Sequence, residues 1–334
     1  MNHKAGVVFL LLASLMLMPS GGVPTAAGSQ QVKKWHIAVL LWHESPNDLA
    51  ALKGLKRGLA AMKMGQNVFV LKANADEKKA KQLLKKTIAD GVDLIVALGT
   101  RSAKIAAAEV KTCPIVFTAV TNPVLSGITP SWTGSGRNIA GNSNWLDRRE
   151  MLTSFRQALP TMKKLCVLRS PSNSVSQAEI AEAHNALPTC PGLELEEIVV
   201  KDPKAVGKLL AEKLSGVDAV WVPIDFPLYQ IEPLKQIIQE TRKRRIPVFS
   251  STARCAGAGA LLVLTVDYEL LGLKASSMIR DILVRGRNPS AIEVGRMKSS
   301  RLFVDLEAAR HIGLKPPFDL ILNAHRLFGA GGGK

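Results

Sequence analysis

The sequence predicts an α/β fold made of two successive parallel sheets with covering helices, and three observations carry that expectation. Two apolar runs, Leu94–Leu98 and Ile115–Val120, are rich in β-branched residues and stop abruptly at small polar residues, as buried parallel strands do at a ligand-facing edge. From Trp35 onward, short apolar runs alternate with amphipathic stretches in the rhythm of repeated βα units. That rhythm breaks at 131–144 and then begins again. Finally, 47% of the residues are hydrophobic but only 5% aromatic, the balance of a chain built on Val, Ile, Leu and Ala.

The first series reads as a strand over 36–42, a helix over 49–64, a strand over 68–71, a helix over 77–89, a strand over 93–98, a helix over 102–110 and a strand over 115–120. Gly134, Gly136 and Gly141 punctuate the break, and the segment from Asn138 to Gly141 reads as a strand leading into a crossing segment. The second series places helices over 151–159, 176–187, 205–214 and 234–245. They alternate with strands over 165–169, 195–200, 219–222 and 247–250. A further strand over 260–266, a helix over 268–284, a turn at 286–289 and a last strand and helix over 303–312 suggest two lobes that exchange elements near the end. The glycine-rich tail 329–334 reads as a frayed end.

At the N-terminus, Lys4 precedes an apolar run over 5–18 that Pro19, Gly21, Gly22 and Pro24 interrupt, and Thr25-Ala26-Ala27-Gly28 supplies small residues for cleavage. Residues 1–27 are therefore expected to be an export signal cut near Ala27, which places the mature, soluble protein in the periplasm. No cysteine precedes Cys113, so the lipid-bearing cysteine of a lipoprotein is not expected. The formal charge of +17 would suit nucleic acid in a cytoplasmic protein, but export removes most of that reading and leaves a bias toward anionic ligands or acidic membrane surfaces. Lys78, Lys79, Lys81, Lys85 and Lys86 flank an apolar stripe of Ala80, Leu83, Leu84 and Ile88, as a solvated helix face does. Arg242 to Arg245 close a helix, where its dipole favours cations. Cys113, Cys166, Cys190 and Cys255 are too few and too widely spaced for a disulfide framework, and at most one bridge is expected.

Several segments together resemble the substrate-binding proteins of bacterial ABC importers, in the tryptophan/tyrosine-type branch with the type I periplasmic-binding fold. They are Leu94-Ile-Val-Ala-Leu-Gly-Thr, Pro114-Ile-Val-Phe-Thr-Ala-Val-Thr-Asn-Pro-Val, Gly141-Asn-Ser, Gly259-Ala-Leu and Asp267-Tyr-Glu-Leu-Leu-Gly. The resemblance runs from Trp35 to about Phe328. It implies two Rossmann-like lobes joined by a three-strand hinge. One would hold residues 33–145 with 267–297 and the other 146–266 with 298–328, with crossings near Asn144, Val266 and Lys298. The chain departs from that family's pattern by carrying Asn122 and Asn144 in place of Asp, Asp225-Phe226 in place of Asp-Asn, and Arg101-Ser102 in place of Pro-Ala. Two acids are replaced and a cation is gained, which favours a more anionic ligand.

The residues themselves point to the same crevice, because in an open parallel sheet ligands bind beyond the carboxyl ends of the strands, where helix N-termini offer free N–H groups. Gly99, Thr100, Arg101 and Ser102 follow one strand and would receive a carboxylate, although Thr100 and Ser102 can equally serve as helix caps and Arg101 can point to solvent. Thr118, Thr121 and Asn122 lie at the end of the next strand. Across the crevice Ser172, Asn173 and Ser174 repeat the pattern, and Asp225 is the candidate to receive a ligand ammonium, or else a cap or turn residue. Glu44 and Asn47 follow the first strand. Trp42 and Trp145 can stack on an aromatic ligand or belong to the core and hinge.

No nucleotide loop, nucleophile elbow or histidine-rich metal spacing occurs, so neither catalysis nor a cofactor or metal is expected. The expected function is that of a monomeric extracytoplasmic protein which binds a small carboxylate-bearing ligand, an amino acid or related organic acid, by hinge closure and presents it to an ABC permease in the inner membrane. A ligand sensor partnering a membrane receptor or kinase, and an exported α/β enzyme, are the alternatives.

Overall fold

A computed structural model describes residues 34–297 and 300–329. The expected export signal, the crossing at Lys298 and the tail 330–334 lie outside the described residues. The first series comprises β1 (His36–Leu41), α1 (Pro46–Ala61), β2 (Asn67–Lys72), α2 (Glu77–Ala89), β3 (Leu94–Leu98), α3 (Gly99–Glu109), β4 (Ile115–Val120) and β5 (Ile139–Ser143). The second runs through α4 (Arg148–Ala158), β6 (Lys164–Arg169), α5 (Ser174–Ala186), β7 (Glu194–Val199), α6 (Val206–Lys213), β8 (Ala219–Val222), α7 (Ile231–Lys243), β9 (Val248–Ser250) and β10 (Leu262–Thr265). The chain ends with α8 (Tyr268–Leu283), β11 (Gly295–Arg296), β12 (Arg301–Asp305), α9 (Leu306–Ile312), α10 (Phe318–Leu322) and β13 (Arg326–Phe328).

These strands form two sheets, ordered β11-β5-β4-β3-β1-β2 and β13-β12-β10-β9-β8-β6-β7. Strand periodicity sorts each core. Ile37, Val39 and Leu41 of β1 face one helical layer with Leu55 and Leu59 of α1 and Leu271 and Ala275 of α8, whereas Ala38 and Leu40 face the other with Ala80 and Leu84 of α2. Helix α8 follows a strand of the second sheet yet packs on α1 and on β4 and β5 of the first. Two glycines allow that contact. A Cβ on Gly54 would lie 1.8 Å from the Glu269 carbonyl oxygen, and one on Gly272 would lie 1.8 Å from that of Ala51.

The pairing is parallel throughout the first sheet, but β12 runs antiparallel to β10, against the expectation of wholly parallel sheets. Connection length is the reason. β11 lies parallel to β5, so it ends at the carboxyl edge of the first sheet, and β12 starts only a few residues later. A parallel return needs a crossover of a dozen or more residues, so β12 enters at the facing edge and runs away from it.

The starts of α1, α4 and α5 fall earlier than hydrophobic periodicity alone suggests, because polar caps set them. Ser45 caps α1, accepting from the Asp48 amide at 3.1 Å and donating to Asp48 Oδ2 at 2.7 Å, with Pro46 at the first helical position. Asp76, Asp147, Asn173, Asp267 and Asp305 cap α2, α4, α5, α8 and α9 in the same way. Among the described residues, no helix is long and apolar enough to cross a membrane. All four cysteines are buried free thiols.

Candidate ligand-binding site

A cavity of about 320 Å³ opens where the carboxyl ends of β1, β3 and β4 face those of β8, β9 and β10. Its position follows from the topology, since each of these strands delivers its next few residues to the same crevice.

The anion-receptive part of the wall is the start of α3. Unlike its neighbours, this eleven-residue helix has no side-chain cap, so its first amides are not spent on a capping oxygen. It begins at Gly99 with φ +76°, a left-handed conformation that turns β3 directly into the helix. Thr100 Oγ1 accepts the Thr121 amide at 3.3 Å, which ties the helix start to the end of β4. Arg101 lies with its Cζ 5.4 Å from the centre of the Trp42 ring and its Nη2 2.5 Å from Glu77 Oε2, so it stands braced at the cavity wall.

The adjoining stretch of β4 is irregular. Ala119 has φ +59°, rare for a residue with a Cβ, and marks a bulge where the register to β5 shifts. Ala119 and Thr121 line the cavity as a result.

Acceptors lie close by. Asp48 also lines the cavity, and a Cβ on Gly99 would sit 3.2 Å from its Oδ1. Burial raises the Asp48 carboxyl above the ordinary aspartate range, against the opposing pull of the Ser45 hydroxyl and of His43. Asn144 donates to the Tyr268 hydroxyl at 2.9 Å, while its buried Oδ1 has no hydrogen-bond partner in the structure. A buried acceptor of this kind calls for a donor. Burial raises Tyr268, and pushes Tyr229 up to about 12, so both phenols keep their protons at neutral pH.

The second sheet contributes apolar area and a cation. Phe226 and Tyr229 follow β8 and meet edge to face at 5.8 Å; with Trp42 and Tyr268 they give the cavity four aromatic walls. Ser251, Thr252 and Arg254 follow β9 and complete that side.

Of the residues singled out from sequence, Trp42, Asn47, Gly99, Thr100, Arg101 and Thr121 line this cavity. The others do not line it. Glu44 pairs with Lys72 at 2.7 Å. Ser102 is fully buried in α3, Thr118 donates to Asn142 Oδ1 at 2.7 Å, and Asn122 accepts the Leu125 amide at 3.0 Å inside its own turn. Asn173 caps α5, and the neighbouring Ser172 and Ser174 are exposed outside the cavity. Asp225, read from sequence as an ammonium acceptor or else a cap or turn residue, is fully buried. Its carboxylate accepts the Ser170 amide at 2.7 Å and the Ser170 and Ser176 hydroxyls at 2.8 Å each. It organises the loop instead of lining the cavity.

The sequence reading missed Asp48, Phe226, Tyr229, Arg254 and Tyr268 as lining residues. Ser45-Pro-Asn-Asp48 carried a usable signal: its capping pattern starts α1 at Pro46, which puts Asn47 and Asp48 at the carboxyl edge of β1. Nothing local marks Arg254, whose place depends on where β9 falls in the second sheet.

Residues 36–327 match the family described as ABC transporter substrate binding protein. The chain belongs to that family. It is a family of substrate-binding proteins, not of enzymes. The chain is 25% identical over 287 residues to a protein named tyrosine-binding protein from Clostridioides difficile (strain R20291), an alignment covering 85% of this chain and 82% of the relative. Solved structures share the fold. A ligand-free, open substrate binding protein with adhesive properties from Clostridium difficile superposes with a TM-score of 0.79 at 22% identity, covering 88% of this chain and 99% of that one. An ABC domain in complex with L-Trp from Streptococcus pneumonia gives 0.69 at 22% identity, covering 89% and 100%. The type I periplasmic-binding architecture is thus that of the substrate-binding family.

Proposed function

We propose that this substrate-binding protein holds a small carboxylate-bearing ligand, an amino acid or a related organic acid, in the cavity between its sheets and presents it to the permease of an ABC importer outside the cytoplasm. The observation that carries this reading is the uncapped start of α3, which opens on the cavity beside Arg101 and close to Asp48. The ligand carboxylate would take the free amides of α3, the Thr100 hydroxyl and the Arg101 guanidinium. Its ammonium, where it has one, would lie against Asp48 and the unpartnered Asn144 Oδ1, and an aromatic side chain would fill the space among Trp42, Phe226, Tyr229 and Tyr268. The named ligands of the tyrosine-binding relative and of the L-Trp complex have these three parts. A micromolar site requires about 8 kcal/mol, within reach of a few charge-assisted hydrogen bonds plus one buried ring.

On this reading the lobes comprise residues 33–145 with 267–297 and 146–266 with 298–328. Ligand contacts from both lobes would favour a closed arrangement, and the permease would recognise that population shift.

Native mass spectrometry of freshly purified protein, followed by calorimetry with L-tyrosine, L-tryptophan, branched amino acids and small carboxylic acids, tests the proposal. A retained small molecule, or micromolar binding of one of these compounds, is the expected result. A protein that carries nothing and binds none of them would overturn it.

A further inference from the structure

Beneath the second-sheet side of the cavity lies a charged pair that the site description does not use. Arg148 and Glu179 are 2% and 0% exposed, with Arg148 Nη1 2.8 Å from Glu179 Oε1. Arg148 begins α4, directly after the segment that leaves the first sheet, and its guanidinium lies 4.6 Å from the centre of the Trp145 ring. The Trp145 indole donates to Glu182 Oε2 at 2.6 Å, which binds the same segment to α5.

Glu179 turns this anchor toward the cavity. Its Oε2 accepts the Ile224 amide at 2.5 Å, and the Ser251 hydroxyl also supports the ionised carboxylate. Ile224 and Ser251 both line the cavity. One helical turn before Glu179, Ser176 holds Asp225. A single buried face of α5 therefore fixes the loop that carries Ile224 and Phe226. Burial raises the Glu179 carboxyl; Arg148 opposes that shift and Glu182 adds to it.

Such a pair is poorly explained as a source of stability, because desolvating two charges costs about as much as their attraction returns, and apolar replacements of similar volume are often neutral or better. Two of the Arg148 nitrogens, Nε and Nη2, also lack hydrogen-bond partners in the structure. The geometric work of the pair is the clearer role.

We infer that Glu179, held by Arg148, is a positioning residue for ligand binding: it fixes the Ile224 amide and Ser251 and so ties the segment after Asn144 to the second-sheet wall of the cavity. This inference rests on the proposed use of the cavity, and its test separates the two. The variants are the double replacement Arg148→Met with Glu179→Met, and Glu179→Gln, whose amide oxygen can still accept from Ile224. Each is measured by thermal melting, by hydrogen exchange of peptides spanning 222–228 and 250–254, and by calorimetry with L-tryptophan and L-tyrosine.

In the double variant, melting close to the wild-type temperature is expected together with faster exchange confined to those two stretches. Affinity for whichever amino acid binds the wild type should weaken by about tenfold or more, the scale of losing a hydrogen bond to a charged group. Glu179→Gln should restore most of the protection at 222–228 and most of the affinity. Wild-type exchange over both stretches in the double variant would overturn the inference, as would exchange that rises evenly across the chain. Should the double variant fail to fold, Glu179→Gln decides through the same peptides: loss of protection there, despite a retained acceptor, contradicts the role. A wild-type protein that binds neither amino acid would count against the proposed ligand class alone, because the exchange readout requires no ligand.

Discussion

Gly99 stands at φ +76° where β3 becomes α3, and a Cβ there would crowd Asp48 Oδ1 at 3.2 Å. Gly99→Ala should therefore cost about 1–2 kcal/mol of stability, read from denaturant unfolding, and should weaken ligand binding because Asp48 has to shift. Asp48 itself gives a pH signature. Its folded-state pKa is raised, so the fold favours the protonated form and the ionised form carries a stability cost. That cost is absent below the unfolded value of about 4, where the side chain is neutral in both states, and is fully present above the folded value. Asp48→Asn should match the wild type in acid and exceed it as pH rises, in thermal melts taken across that window. The thiols are inert by the same logic of burial: Cys166 and Cys255 are each pushed up to about 12. Native protein should resist alkylation by iodoacetamide at neutral pH and react only once denatured, as counted by mass spectrometry.

The elements show what local sequence can carry. Strand ends at Leu98 and Val120 were legible because buried parallel strands are continuous apolar runs that stop at polar residues, and this is also why Gly99, Thr100, Arg101 and Thr121 could be placed at the crevice. Asp225 shows the limit. A strand-end aspartate looks the same in sequence whether it faces a ligand or three protein donors, and only the approach of Ser170 and Ser176 distinguishes the two. The contact of α1 with α8 was equally hidden, since it joins residues more than two hundred positions apart through Gly54 and Gly272. Gly272→Val forces a side chain into the Ala51 carbonyl and should destabilise the protein by about 3 kcal/mol or more. The denaturation midpoint should fall accordingly, whereas Gly286→Ala, in an open turn with φ +66°, should cost only the backbone strain.

At the scale of the molecule, the chain passes between the elements of its two sheets at three places, after Ser143, after Thr265 and after Arg296. Alternating strands and helices made two α/β units legible, but the reversed direction of β12 was not, because it follows from where the chain stands when it recrosses and not from any residue in the strand. The cavity lies among these crossings, with Asn144, Val266 and Tyr268 in its wall. Ligand contacts to α3 on one side and to Phe226 and Arg254 on the other would pull the two halves together, so small-angle scattering should show a smaller radius of gyration with a bound ligand than without.

A crystal structure of the protein with L-tryptophan or L-tyrosine bound tests the site most directly. The ligand carboxylate should lie on the first amides of α3 beside Thr100 and Arg101, with the ring enclosed by Trp42, Phe226, Tyr229 and Tyr268. A ligand bound elsewhere, or one seated in the cavity with its carboxylate turned away from α3, would contradict the account.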